Sequence, residues 1–271
     1  MCSYATPSRS NAAQPPVVLA IGGHDPSGGA GIQADIETIA ALGGHAVTVV
    51  TALTVQDTQD VRQLRAVDAG FVRAQLEALF DDFPLRTAKL GLAGSVEAVQ
   101  EVARLLKLHS GVRLVLDPVL AAGGGRELSN AELRDALLDL LLPRTFLATP
   151  NSRELQRLSG ESDMDAGAAR LLRRGCRHLL VSGGHLEGEA VVNRLYSADG
   201  GYAEWRWDRL EGEYHGSGCT LAAACAVLLA RDLPVKMAVR LAQAYTQDAL
   251  ARAIRPGRGQ AIPRRVAPMP S

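Results

Sequence analysis

VVLAIGGHDPSGGAGIQADIETIAAL, residues Val17 to Leu42, divides into three parts whose order decides the fold. VVLAIG (Val17 to Gly22) is a short apolar run with no polar face, as expected of a strand covered on both sides. A glycine-rich loop follows, and then an amphipathic stretch, Ala30 to Leu42, with helical spacing. Strand, loop and helix in that order form the repeating unit of a mainly parallel sheet layered between helices.

The same alternation continues outward along the chain. Further strands are predicted at His45 to Ala52, Ala88 to Leu92, Arg113 to Asp117, Phe146 to Pro150 and His178 to Gly183. Ala190 to Tyr196 and Tyr202 to Trp207, joined by SADGG, read as an antiparallel hairpin. Helices fit Ala69 to Phe80, Val96 to Leu108, Asn130 to Leu141, Ala166 to Arg174, Cys219 to Ala230 and Val235 to Ile254. The predicted fold is α/β, a three-layer αβα sandwich with a mainly parallel central sheet, in one domain spanning 17–254. Residues 1–16 read as a disordered leader and 255–271 as a C-terminal tail, whose Arg255, Arg258, Arg264 and Arg265 read as solvated.

Composition excludes several classes. Lysine plus arginine equals aspartate plus glutamate, 29 each, so no global field favours nucleic acid or a membrane surface. No apolar run reaches the roughly 18 residues of a membrane span. Ser3 to Pro16 is polar and broken by prolines, unlike a signal peptide. Cys2, Cys176, Cys219 and Cys225 show no CxxC pair and no zinc spacing, which fits a reducing cytoplasm.

In such sheets ligands bind outside the carboxyl ends of the strands, and there the polar residues gather. Gly216, Ser217, Gly218 and Cys219 precede the apolar run TLAAACAVLLA. Free N–H groups and the dipole at a helix start suit an anion, and a thiol there would have its thiolate stabilised. The alternative is an ordinary helix start with a capping serine and a small buried cysteine. Asp35, near the start of its helix, is either a dipole partner or a hydrogen-bond acceptor for a substrate hydroxyl or amine. Gln56 is either a turn residue or the reader of an amide-like or pyrimidine edge. Asp117 ends a strand. Asn151 and Glu154 form an N-x-x-E pattern in which Asn151 is an N-cap or a support for Mg²⁺, a metal that takes few protein ligands. His24, His185 and His215 lie beside glycine turns without metal-binding spacing, so wall hydrogen bonds are expected of them.

In order, HDPSGGAGIQAD, TALTVQDT, KLGLAGS, LDPVL, ATPN with Glu154, GGHLEG and HGSGCTLAAA resemble segments of the hydroxymethylpyrimidine and phosphomethylpyrimidine kinases of thiamine biosynthesis. Those enzymes belong to the ribokinase-like superfamily, and the match runs from about Val17 to Ala253. The resemblance implies ATP-dependent phosphorylation of 4-amino-5-hydroxymethyl-2-methylpyrimidine and then of its monophosphate. By motif position, Gly23, Asp35 and Gln56 would hold the aminopyrimidine. Gly216, Ser217, Gly218 and Cys219 would form an anion hole, with Cys219 as candidate base. Asp117, Asn151 and Glu154 would surround Mg²⁺ and the ATP phosphates, largely through water. A homodimer is common among such enzymes.

Two positions depart from that pattern. Ser182 stands where many members carry a phosphate-binding lysine, and AAGGGREL follows DPVL where many carry a lysine or threonine and a serine. Arg126, or backbone N–H groups of the GGG run, would then supply the missing positive potential. Pyridoxal kinase is the neighbouring alternative, and a non-catalytic pyrimidine binder is the alternative of a different class.

Overall fold

The computed structural model describes residues 14–121, 125–184, 186 and 188–266. The opening unit folds into strand β1 (Val17–His24), a glycine loop and helix α1 (Gly31–Ala41). Strand β2 (His45–Gln56) runs parallel to β1, and β3 (Val61–Ala66) returns antiparallel against β2. Helix α2 (Ala69–Asp82) then carries the chain to β4 (Thr87–Leu90) on the other flank of β1. From there it steps outward through α3 (Val96–Leu108), β5 (Arg113–Leu116), α4 (Ala131–Ala136) and β6 (Thr145–Ala148). Next come α5 (Ser152–Ser159), α6 (Met164–Arg173) and β7 (His178–Val181). The hairpin β8 (Ala190–Ser197) and β9 (Tyr202–Asp208) forms the far edge, and α7 (Ser217–Ala230) and α8 (Val235–Ala251) follow. The sheet order is β3-β2-β1-β4-β5-β6-β7-β8-β9, and every pairing from β2 to β7 is parallel.

Strand periodicity divides the interior into two cores, because successive side chains point to opposite faces. Leu19 and Ile21 of β1 pack with Val72, Leu76 and Val102 on the α2–α3 face. Val18 and Ala20 pack with α7 and α8 on the other. Both faces of the central strands are thus covered, which is why their sequences lack alternation. Connections leave β1 toward β2 and later return beside it as β4, so strand order reverses there. That reversal opens a crevice outside the carboxyl ends of β1, β4 and β5.

Several boundaries and one element differ from the sequence reading. β3, VRQLRA, was not expected: only Val61 is buried, so this edge strand has no apolar face to betray it. The predicted helix Asn130 to Leu141 is α-helical only through Ala136 and widens to π geometry over Leu137–Leu141. Residues 255–266 are only in part the solvated tail expected: Arg255, Arg258 and Arg264 are exposed, whereas the segment is tied down and Arg265 is buried. Ile262 pairs with Ile254, Ala261 pairs with Tyr214, and Arg265 is 2% exposed. Most of the expected leader, Gly123 and Gly124 of the GGG run, and His185 lie outside the described residues.

Candidate active site

Helix α7 starts where the chain can turn only with glycine. Gly216 has φ +83, and a Cβ there would come within 1.9 Å of the Gly29 carbonyl oxygen. No side chain caps the helix, so Ser217 is its first residue rather than its cap. The backbone N–H groups of Ser217, Gly218 and Cys219, the first turn of the helix, therefore have no intrahelical partners. Thr220, the next residue, donates from its N–H to Gly216 O at 3.0 Å.

The start of α1 meets this turn. Gly31, with φ +63, lies so near β1 that a Cβ would sit 2.3 Å from Gly23 O, and its N–H points at the Cys219 sulfur. The thiol is nevertheless pushed up to about 12. Burial is the largest cause; Lys89 opposes it, the Asp117 and Asp35 carboxylates reinforce it, and the Gly31 N–H again opposes. The expected stabilised thiolate is therefore corrected: in the resting site the buried carboxylates and lost hydration outweigh the helix ends.

Behind Cys219 stands a buried charge cluster centred on Lys89, a residue that sequence reasoning passed over. Ala88 and Leu90 of β4 enter the α2–α3 core, which turns Lys89 toward α1 and α7. Its Nζ lies 2.9 Å from Asp35 Oδ1, 3.0 Å from Asp35 Oδ2 and 3.5 Å from Asp117 Oδ2. Burial raises the Asp35 carboxyl to about 6 even though Lys89 pulls it down, while the lysine itself is held well above its usual range by the acids despite its burial. Asp35 is fully buried and faces this lysine rather than the open crevice. The signal that could have found Lys89 was a lone charge inside the apolar strand AKLGL.

A second network links the glycine loop to the chain before α7. His215 Nε2 lies 2.7 Å from Asp25 Oδ2 and 2.8 Å from the Gln56 amide nitrogen. The other Asp25 oxygen accepts from Ser27 N and Oγ, and Oδ2 also accepts from Ala30 N. Burial tends to raise the Asp25 carboxyl, but the bonds from His215 and Ser27 outweigh it and hold it low. Wall hydrogen bonding is thus what His215 does. Gln56 borders an open groove of about 510 Å³ with Ser27, Arg62 and Arg258. The structure does not join Gln56 to Asp35; the two belong to separate networks.

On the β5–β6 side, Asn151 caps α5. Its side chain accepts from Glu154 N at 2.9 Å, and Glu154 Oε2 accepts from Asn151 N at 2.9 Å. This reciprocal box contributes about 1 kcal/mol to the helix. Burial, reinforced by Asp117, pushes the Glu154 carboxyl up to about 8. Ser182 bridges to Asn151, its N–H donating to Pro150 O at 3.1 Å. Arg126 instead donates to Val61 O at 2.7 Å, so it is engaged with β3.

Asp117 and Glu154 suit Mg²⁺. Asp117 Oδ2 is buried with no hydrogen bond, only the Lys89 ammonium 3.5 Å away, Glu154 is close enough to feel its charge, and a Cβ on Gly218 would lie 3.8 Å from Asp117 Oδ1. Among the described residues no cluster of three or more His, Cys, Asp or Glu could cage a metal. Two carboxylates beside an anion-binding helix start are what a metal shared with phosphates requires.

A profile of the family described as phosphomethylpyrimidine kinase matches residues 25–264. A hydroxymethylpyrimidine/phosphomethylpyrimidine kinase of Rhizobium meliloti is 37% identical over 256 residues, covering 90% of this chain and 94% of that protein. A phosphomethylpyrimidine kinase structure from Clostridium difficile superposes with TM-score 0.76 at 33% identity, over 86% of this chain and 99% of the other. Bacillus subtilis pyridoxal kinase in complex with ADP superposes with TM-score 0.85 at 28% identity, over 92% and 97% of the two chains. Fold likeness thus extends to both kinds of vitamin kinase, while the family profile and the curated relative separate them: the chain belongs to the phosphomethylpyrimidine kinase family.

Proposed function

We propose that this protein transfers the γ-phosphoryl group of ATP to the hydroxymethyl oxygen of 4-amino-5-hydroxymethyl-2-methylpyrimidine, and then phosphorylates the monophosphate, in thiamine biosynthesis. The observation that carries this reading is the convergence of the α1 and α7 N-termini on Cys219, in front of Lys89, Asp35 and Asp117. Phosphoryl transfer asks chiefly for positioning and for positive potential around the moving group. The free N–H groups of Ser217, Gly218 and Cys219 surround that group in flight. Asp117 and Glu154 would hold Mg²⁺, which when bound screens charge on the ATP phosphates.

The pyrimidine would lie beside Gly23, Gln56 and the first turn of α1, with Asp35, buried against Lys89, contributing negative potential behind the pocket rather than a direct contact in this conformation. With its thiol protonated at rest, Cys219 orients the acceptor oxygen rather than stripping its proton in advance. The oxygen–phosphorus bond forms as the γ-phosphorus–oxygen bond to ADP breaks, and the hydroxyl proton passes late to an oxygen of the transferred phosphoryl group and from there to solvent, which a loose transition state allows. Asn151 and Ser182 steady the strand ends beneath the nucleotide. Arg126, which donates to β3 through one nitrogen and is otherwise exposed, or backbone N–H groups would supply the positive potential that Ser182 lacks. A cytoplasmic homodimer is the setting the family resemblance implies.

Pyridoxal phosphorylation is the second reading, favoured by the fold likeness to pyridoxal kinase. Phosphorus NMR of a reaction with Mg²⁺–ATP and the hydroxymethylpyrimidine tests the first. A monophosphate resonance followed by a pyrophosphate pair supports it, and ATP left unconsumed rules it out.

A further inference from the structure

Arg265 lies 45 residues beyond Thr220 in the chain, yet its guanidinium is buried under the start of α7. Its Nε donates to Thr220 Oγ1 at 2.9 Å, and Thr220 Oγ1 donates in turn to Gly216 O at 2.8 Å. Nη2 donates to Gly29 O at 2.5 Å, and Nη1 donates to Gly28 O at 3.2 Å. Nη1 also pairs at 3.1 Å with Glu37, a half-exposed carboxylate at the outer rim. The segment that delivers the arginine is fastened to α8: Arg264 N donates to Ala249 O, and Tyr245 OH donates to Arg265 O.

These bonds are more than a terminus tied down. Burying a guanidinium costs several kcal/mol unless its donors are satisfied, and here three carbonyl or hydroxyl oxygens of the anion-hole walls and the Glu37 carboxylate engage four of its five N–H groups. Gly28 and Gly29 belong to the loop after β1, whereas Gly216 and Thr220 begin α7. No hydrogen bond among the described residues joins the Gly28–Gly29 carbonyls to α7 except through this side chain. Both carbonyls carry partial negative charge close to where the phosphoryl group would pass. Arg265 offsets that charge and sets how far the loop stands from the helix mouth.

We propose that Arg265 is a positioning residue for phosphoryl transfer: through Thr220 and the Gly28–Gly29 carbonyls it fixes the Gly216 turn and hence the N–H groups of Ser217, Gly218 and Cys219. This role rests on the kinase reading above. It predicts that losing the guanidinium impairs the chemical step while the pyrimidine still binds.

The test compares the unaltered chain with Arg265→Gln and Thr220→Val in steady-state assays with Mg²⁺–ATP, scaled to the folded fraction measured by circular dichroism. Each variant is expected to lose about 30-fold in kcat, in the range below the removal of a direct oxyanion donor, with pyrimidine KM within about twofold. Millimolar guanidinium should restore part of the kcat of Arg265→Gln and none of that of Thr220→Val. Thr220→Val keeps volume and charge, so it decides the matter even if Arg265→Gln fails to fold. Folded Thr220→Val with unaltered kcat, its only change a lower Tm, would overturn the role and leave the kinase reading standing. An inactive unaltered chain would overturn both.

Discussion

Lys89 and Asp35 form an ion pair between β4 and α1 in which neither side chain meets solvent, with Nζ 2.9 Å from Oδ1. Removing one member of a buried pair costs about 3–5 kcal/mol, because the other charge is left without compensation. Lys89→Met would leave Asp35 beside Asp117 and raise the Asp35 carboxyl further. The folded state would then hold a proton that the unfolded state releases, so stability should fall as pH rises. Urea unfolding is expected to show a larger loss at pH 8 than at pH 5, with Lys89→Met/Asp35→Asn recovering part of it. Equal stability of Lys89→Met and the unaltered chain would contradict the pairing.

Glu154 gives a second pH signature. Its folded pKa of about 8 lies above the ordinary 4.5, so the folded state keeps the proton across that window while the unfolded state does not. The stabilisation is complete below about 4.5 and is lost as pH climbs through 8. Glu154→Gln retains an acceptor for the Asn151 N–H and removes the titration. Its unfolding free energy should therefore decline less over this range than that of the unaltered chain. Parallel curves would mean that Glu154 is charged throughout.

Cys219 should be a slow nucleophile in the free protein. A thiol raised to about 12 holds far less thiolate at neutral pH than an ordinary cysteine at about 8.5. Alkylation by iodoacetamide, followed by peptide mass spectrometry, is expected to run at least about 10-fold slower than for a free cysteine. A faster rate than free cysteine would show a preformed thiolate and restore the general-base role.

Gly216→Ala tests the turn itself. The new methyl group would meet the Gly29 carbonyl at 1.9 Å with φ at +83, so backbone must move. Displacing the anion hole by that much should lower kcat by about 100-fold or more. Fluorescence or calorimetric titration should show pyrimidine affinity falling far less. Unchanged turnover would mean that the phosphoryl group passes elsewhere.

The layers and most strands were legible because they rest on local apolar periodicity. Val96 to Leu108 was delimited to the residue, and in the structure Ser95 caps it. β3 was hidden because an edge strand with a single buried residue carries no such pattern. At the site, the glycine turns and Asp117 were readable from their places at strand ends. Lys89 was not, since its meaning depends on Asp35 lying 54 residues away across a layer. Arg265 was read as solvated because local charge density says nothing of the Gly29 carbonyl 236 residues earlier. Of the two readings of Cys219, the structure favours the small buried cysteine over the stabilised thiolate, since a helix start is visible in sequence and the desolvation around it is not.

The central measurement is a steady-state assay with Mg²⁺–ATP offering the hydroxymethylpyrimidine, its monophosphate and pyridoxal in parallel. For a pyrimidine kinase, kcat/KM for the hydroxymethylpyrimidine should stand at least about 10-fold above pyridoxal, a difference of about 1.4 kcal/mol in transition-state binding, with turnover of the monophosphate as well. Phosphorylation of pyridoxal in preference to both pyrimidines, or of none of the three by folded protein, would contradict that reading.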